Sequence, residues 1–327
     1  MRRPAVVRSS VAALAGLGLL LSACSPQAES TPAADGINVV ASTNVYGDIA
    51  KTIGGDKVTV TAIITKTSQD PHSYEATAQD RLAVSKADLL IENGGGYDDF
   101  LHTLAEDSNL DGGKVLNSVE LSGLAHPEEE AASAEAATTE SAAEEAHAHD
   151  HGEFNEHVWY SLHAMEQLTE DIAARLGELD PASAQTFDAN AADFKAALEG
   201  LHGRLDALKG TAAGASVAVT EPVPLYLLED AGLVNATPGD YTAAIEEGSD
   251  VPPAVLKAAT DLVASGSVRL LAYNRQTEGP QTEALKKAAE TAGVPVVDFN
   301  ETLPEGKTYM QWMTENVDKI SKVLENK

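Results

Sequence analysis

Short apolar runs and helical stretches alternate twice along this chain, once on each side of a segment with nothing to bury, and this doubling restricts the fold more than any other feature. In the first half, residues 37–42 form a short apolar run and 46–53 a helical stretch. Residues 58–64 alternate as a strand does, 81–86 read as helix, and Leu89-Leu90-Ile91 reads as a buried strand opening into Gly94-Gly95-Gly96. The same grammar returns at 216–219, 270–273 and 294–297. Strands that alternate with helices build parallel sheets, so the expected class is α/β: two lobes with parallel sheets flanked by helices. Asp180-Pro181 offers a helix cap and a first-turn proline. After it Phe187, Phe194, Leu198, Leu201, Leu205 and Leu208 recur at helical spacing up to Gly210. Such a helix is roughly 43 Å long at 1.5 Å per residue. The chain therefore divides into an N-terminal lobe over 36–179, one long rigid joining helix over 180–210 and a C-terminal lobe over 211–327.

The amino terminus places the protein. Arg2, Arg3 and Arg8 precede an apolar run at 11–21 that ends in Leu21-Ser22-Ala23-Cys24, the order of a secretory signal, here over 1–23. That run is short of the ~20 residues a spanning helix needs. Cys24 is the only cysteine, which excludes a disulfide framework and a cysteine-ligated zinc site. Its setting is similar to a bacterial lipobox, in which the cysteine becomes a lipidated first residue. A lipid there would hold the domain at the extracytoplasmic face of the cell membrane, with the Ser-, Pro- and Ala-rich stretch 24–35 as tether. The 51 acidic against 22 basic residues give a formal charge of -29, which excludes nucleic acid as a partner and favours cations. Much of the excess is local. Residues 127–145 contain no basic and no aromatic residue, so the insertion over 126–152 is expected to be disordered. His147, His149 and His151 alternate at its end, a tract that can hold metal loosely as an auxiliary loop.

Two polar islands carry the chemistry: Asp70-Pro71-His72-Ser73-Tyr74 and Asn155-Glu156-His157-Val158-Trp159. Ligand sites in open α/β sheets fall at the carboxyl ends of strands. Asp70-Pro71-His72 follows the strand at 58–64, Thr220-Glu221-Pro222 follows Val217-Ala218-Val219, and Asn300-Glu301 follows the run at 294–297. Each strand end is expected to deliver one candidate metal ligand, and His157 completes a candidate set of His72, His157, Glu221 and Glu301. Asp298 is held in reserve for Glu301. Two imidazoles and two carboxylates suit zinc, manganese or iron.

The lipobox, Asp70-Pro71-His72, Glu156-His157-Val158-Trp159, the long helix and the closing Tyr309-Met310-Gln311-Trp312-Met313-Thr314-Glu315-Asn316 together resemble the zinc and manganese solute-binding lipoproteins of ABC importers. The resemblance implies two α/β lobes joined by one helix and a single divalent ion, Zn2+ or Mn2+, held in the cleft between them. It places the two histidine ligands on His72 and His157, the third ligand on Glu221 and the fourth on Glu301. It further implies a monomer that is no enzyme, captures the ion and delivers it to a membrane permease. Two other readings stand beside it: a surface metallohydrolase with Glu156 as base, and a metal-binding adhesin without transport. Against the first, four protein ligands leave no open position for water, and no His-Glu-x-x-His or phosphate-binding glycine loop occurs. Glu221 in place of a third histidine points to manganese or iron, whereas intrinsic affinity and the histidine tract point to zinc.

Overall fold

The computed structural model of the chain describes residues 36–125 and 154–325. The signal and tether with Cys24, and the insertion with His147, His149 and His151, lie outside the described residues.

The N-terminal lobe is laid down as β1 (Ile37–Thr43), α1 (Asn44–Gly54), β2 (Val58–Ile64), α2 (Ala78–Val84), β3 (Leu89–Glu92), α3 (Asp99–Asp107), β4 (Val115–Asn117) and α4 (Ser118–Ser122). Two long helices follow, α5 (Leu162–Leu179) and α6 (Ala184–Ala212). The C-terminal lobe comprises β5 (Ser216–Val219), α7 (Leu225–Asp230), β6 (Val234–Asn235), α8 (Gly239–Glu246), α9 (Pro253–Ala264), β7 (Leu271–Asn274), α10 (Pro280–Thr291), β8 (Val296–Phe299) and α11 (Tyr309–Glu325). Each lobe has a four-stranded sheet, ordered β2-β1-β3-β4 and β6-β5-β7-β8. All pairings are parallel, with Val39 opposite Val60 and Leu89, and Leu271 opposite Ala218 and Val296. The two orders are equivalent. In both sheets the strand order reverses beside the first strand, which opens a crevice at the carboxyl ends of β1 and β3, and of β5 and β7.

Residues Phe187, Phe194, Leu198, Leu201, Leu205 and Leu208 of α6 are all buried. They belong to one apolar cluster that runs from β1 and α1 through α5 and α6 to α7 and α11, so the lobes share a core. Each fully buried side chain of this size contributes about 1.5–3 kcal/mol relative to exposure. The helix differs from expectation at its ends. The Asp180 carboxylate accepts from Ala182 N at 3.2 Å and its carbonyl accepts from Ser183 N at 3.0 Å, closing a turn that delays the helix to Ala184. Gly210 is carried inside the helix, and the stop falls before Gly214, whose φ of 78° only glycine adopts freely. Likewise α2 starts at Ala78, ahead of the expected 81, because Thr77 and Asp80 form a reciprocal capping box. Strand β8 lies two residues beyond the apolar run at 294–297, which brings its end directly to Asn300-Glu301.

Hydrogen bonds between the lobes converge on the loop after β8. Asn44 donates to Leu303 O at 2.8 Å and accepts from Leu303 N at 2.9 Å, and Tyr160 donates to Asn300 O at 2.7 Å. Tyr309 N donates to the Asp48 carboxylate at 2.7 Å, and the Tyr309 hydroxyl donates to Trp159 O at 2.8 Å. Glu301 thus sits in a C-terminal loop whose position the N-terminal lobe holds.

Candidate metal centre

His72 is presented by a short turn that Asp70 closes. The Asp70 carboxylate accepts from His72 N at 3.0 Å and from the Ser73 hydroxyl at 2.7 Å, and proline between them restricts the backbone. The His72 side chain is 24% exposed and meets Tyr97 edge-on, with ring centroids 5.0 Å apart. Tyr97 reaches this place because Gly94, Gly95 and Gly96 all take positive φ, at 79°, 66° and 90°. Asp98 closes the loop by accepting from Asn93 N at 2.6 Å and Gly94 N at 2.8 Å. A Cβ on Gly95 would lie 3.2 Å from Cβ of Glu156, so the glycine loop packs directly against the second histidine island.

His157 is buried, and its ring centroid lies 6.4 Å from that of His72. Its Nδ1 stands 2.8 Å from Oδ1 of Asn155, which also accepts from His157 N at 3.2 Å. An amide oxygen in that place assigns the proton to Nδ1 and leaves Nε2 with its lone pair. Burial pushes the imidazole pKa well below its ordinary value, and His72 nearby adds to the shift, so His157 is neutral at pH 7. Asn155 also spans the cleft: its Nδ2 donates to Pro222 O at 3.1 Å, and its carbonyl accepts from the Tyr226 hydroxyl at 2.6 Å. Pro222 is next to Glu221, so one side chain fixes both an imidazole and the opposing carboxylate segment.

Glu221 and Glu301 are brought together in the C-terminal lobe. Asn274, at the end of β7, donates from Nδ2 to Glu221 Oε2 at 2.6 Å and to Glu301 Oε1 at 2.7 Å. The Thr277 hydroxyl donates to Glu221 as well, and the Tyr97 hydroxyl reaches Glu301 Oε2 at 3.4 Å. Gln276 accepts from Glu301 N at 2.7 Å. Asp298 is elsewhere. It lies within β8, its carboxylate is 44% exposed and stands 3.6 Å from Arg275, so the structure does not bring it to the cleft.

Two more carboxylates complete the cluster. Glu156 lies 3.6 Å from His72 Nε2 through Oε1 and 4.0 Å from His157 Nδ1 through Oε2, and Glu246 of α8 lies 3.9 Å from His157 Nδ1. Their side chains are 3% and 7% exposed. Among the described residues, His72, Glu156 and His157 form the one group of three such side chains with a ligand atom from each within 4.8 Å of the others. Burial drives the pKa of all four glutamates far above the carboxylate range. Glu156 and Glu221 rise to about 7, Glu301 to about 8 and Glu246 to about 9, with the neighbouring carboxylates adding to the shift. No lysine or arginine among the described residues offsets any of the four.

Sequence reasoning missed the roles of Glu246, Asn274, Asn155 and Tyr97. The strand-end rule that singled out Glu221 and Glu301 applies equally to Asn274 and could have found it. Nothing in the helical stretch around Glu246 distinguishes it from a solvated residue.

A family model described as zinc-uptake complex component A, periplasmic, matches residues 39–323. The manganese ABC transporter substrate-binding lipoprotein ScaA of Streptococcus gordonii is 26% identical over 328 residues, covering 93% of this chain and 94% of that protein. The chain spans about half the length of another curated relative, the metal ABC transporter substrate-binding lipoprotein ScbA of Streptococcus cristatus. There the identity is 30% over 179 residues, 52% of this chain and 51% of the relative. The periplasmic zinc-binding protein TroA of Treponema pallidum superposes with a TM-score of 0.66 at 20% identity, over 88% of this chain and 99% of that one, which establishes a shared fold. Two equivalent parallel sheets, a joining helix and a cleft lined by imidazoles and carboxylates accord with the match over residues 39–323, by which this chain belongs to the family of zinc-uptake complex component A periplasmic proteins.

Proposed function

We propose that this protein is an extracytoplasmic receptor that captures one divalent transition metal ion, zinc or manganese, and delivers it to the membrane permease of an ABC importer. The observation that carries this reading is a buried cluster of carboxylates facing two imidazoles with no cationic side chain among the described residues to balance it. Leaving several carboxylates buried without a counter-charge is costly, and a divalent cation offsets that cost. His72, His157, Glu221 and Glu301 are the proposed ligands. Asn155 and Asn274 are positioning residues that orient an imidazole and a carboxylate pair from outside the metal's own shell.

Four protein ligands close a tetrahedral shell, which favours carriage over catalysis, so the protein is read as a receptor and not an enzyme. The ligands come from both lobes, so a small shift of one lobe against the other takes the shell apart. A common core through α6 argues for such a small shift in place of a wide hinge swing. Lipidation of Cys24 after removal of residues 1–23 would tether a monomeric receptor to the cell membrane near its permease, with 24–35 as the tether.

The test is metal content by mass spectrometry, on mature protein stripped by chelator, exposed to equal limiting zinc and manganese, and desalted. One tightly held ion per chain is expected, lost in both His72→Ala and His157→Ala while the apo fold persists. Retention of the ion by both variants would overturn the ligand assignment. A second ion per chain would assign metal binding to His147, His149 and His151. In cells, Cys24→Ala should move the protein from the membrane fraction to the soluble one.

A further inference from the structure

Four donors account for only part of the polar chemistry in the cleft. Glu156 Oε1 and Glu246 Oε1 are both buried and take no donor from a neutral or cationic group among the described residues, and the two carboxyls face each other across the cleft. Burying two carboxyls that have only each other for company is costly, and native proteins seldom keep such a pair without a further ligand. Both stand beside the histidines, Glu156 Oε1 at 3.6 Å from His72 Nε2 and Glu246 Oε1 at 3.9 Å from His157 Nδ1. They come from opposite sides of the cleft. Glu156 belongs to the histidine island of the N-terminal lobe, and Glu246 is the last residue of α8 in the C-terminal lobe. Glu246 also borders a cavity of about 450 Å³ at the cleft mouth, together with Asp70, His72, Ser73 and Thr277.

Resting on the metal-receptor reading, we infer that Glu156 and Glu246 are two further oxygen donors to the captured ion, and that they set its selectivity. With them the donor set grows from two nitrogens and two oxygens to two nitrogens and four oxygens. Six donors rich in carboxylate oxygen suit an octahedral, hard divalent ion such as Mn2+. Zinc is satisfied by four and gains little from a fifth and sixth. The two glutamates therefore offset part of the intrinsic advantage that zinc holds over manganese at any nitrogen and oxygen site.

The experiment compares the wild-type mature chain with Glu156→Gln and Glu246→Gln, near-isosteric changes that remove an anionic donor. Affinities for Mn2+ and for Zn2+ are measured separately by competition with a chelating dye, and the fold is checked by circular dichroism. The expected result is a ~10–100-fold loss of Mn2+ affinity in each variant with a change in Zn2+ affinity below about threefold. Parallel losses for the two metals, or no loss for either, would overturn the inference and leave the two carboxyls a structural role. Should a variant fail to fold, a crystal structure of the Mn2+-loaded wild type decides: carboxylate oxygens of both Glu156 and Glu246 bonded to the ion support the inference, and either one out of bonding contact overturns it. Failure of the wild type to bind either ion is a different result, because it sinks the receptor reading itself.

Discussion

Glutamates that are buried together and lack a counter-charge hold protons at neutral pH, so a divalent cation must expel those protons to bind. The magnitude follows from the values in the cleft. With Glu221 at about 7 and Glu301 at about 8, this pair carries about one to two protons at pH 7, nearly two at pH 6 and about a tenth of one at pH 9. If Glu156 and Glu246 give up theirs as well, the release at pH 7 approaches about three. His157 contributes nothing, because burial already keeps its imidazole neutral. The sign is fixed: carboxyls protonated in the free protein and ionised in the complex make affinity rise with pH, by about one to two decades per unit between pH 6 and 7, and level off above about pH 9. The assay is isothermal titration calorimetry of Zn2+ or Mn2+ into chelator-stripped protein at fixed pH, in buffers of different ionisation enthalpy. The slope of observed enthalpy against buffer enthalpy counts protons released. A slope near zero at pH 7, or a release that grows above pH 8, would refute the argument that the acidic cluster is protonated when empty.

The same linkage acts on the fold. Carboxyl pKa values raised above their unfolded values give a stabilisation that is complete below about pH 4.5 and fades as pH rises through 7 to 9. The melting temperature of stripped protein should therefore fall between pH 5 and 8, while that of metal-loaded protein should rise; differential scanning calorimetry of both forms checks the opposite slopes. Asn274→Leu removes an amide that donates to both Glu221 and Glu301 and should lower metal affinity by ~10–100-fold in dye competition, and an effect under twofold would deny it a positioning role. Leu198→Ala, at a fully buried position of α6, should cost about 2–5 kcal/mol in urea unfolding and leave the metal stoichiometry unchanged.

What the sequence discloses and what it conceals divide along physical lines. The joining helix was legible because Phe187 to Leu208 repeat at the period of a buried helix face, and such a period survives any tertiary context. Its start was misplaced by a few residues because Asp180 and Pro181 serve equally well in a turn, and only the bonds to Ala182 and Ser183 decide between them. The strand-end rule located Glu221 and Glu301, whose lobe geometry is set by topology. It could not separate Asp298 from Glu301. The phase of β8 relative to its apolar run decides which carboxylate clears the sheet, and a shift of two residues kept Asp298 in the strand, beside Arg275.

The larger gap is electrostatic. Read from residue types, the pH sensitivity of this site belongs to its imidazoles, since histidine alone titrates near neutrality when unperturbed. The fold exchanges those roles. Enclosure next to Trp159 and Tyr97, with ring centroids 5.1 and 5.8 Å away, holds His157 neutral, whereas the convergence of four glutamates from both lobes carries carboxyl titration up into the neutral range. No single residue encodes that inversion. It depends on Glu246, in α8, reaching the same enclosed space as Glu156, 90 positions earlier in the chain, and it exists only once the two lobes have closed on one cleft.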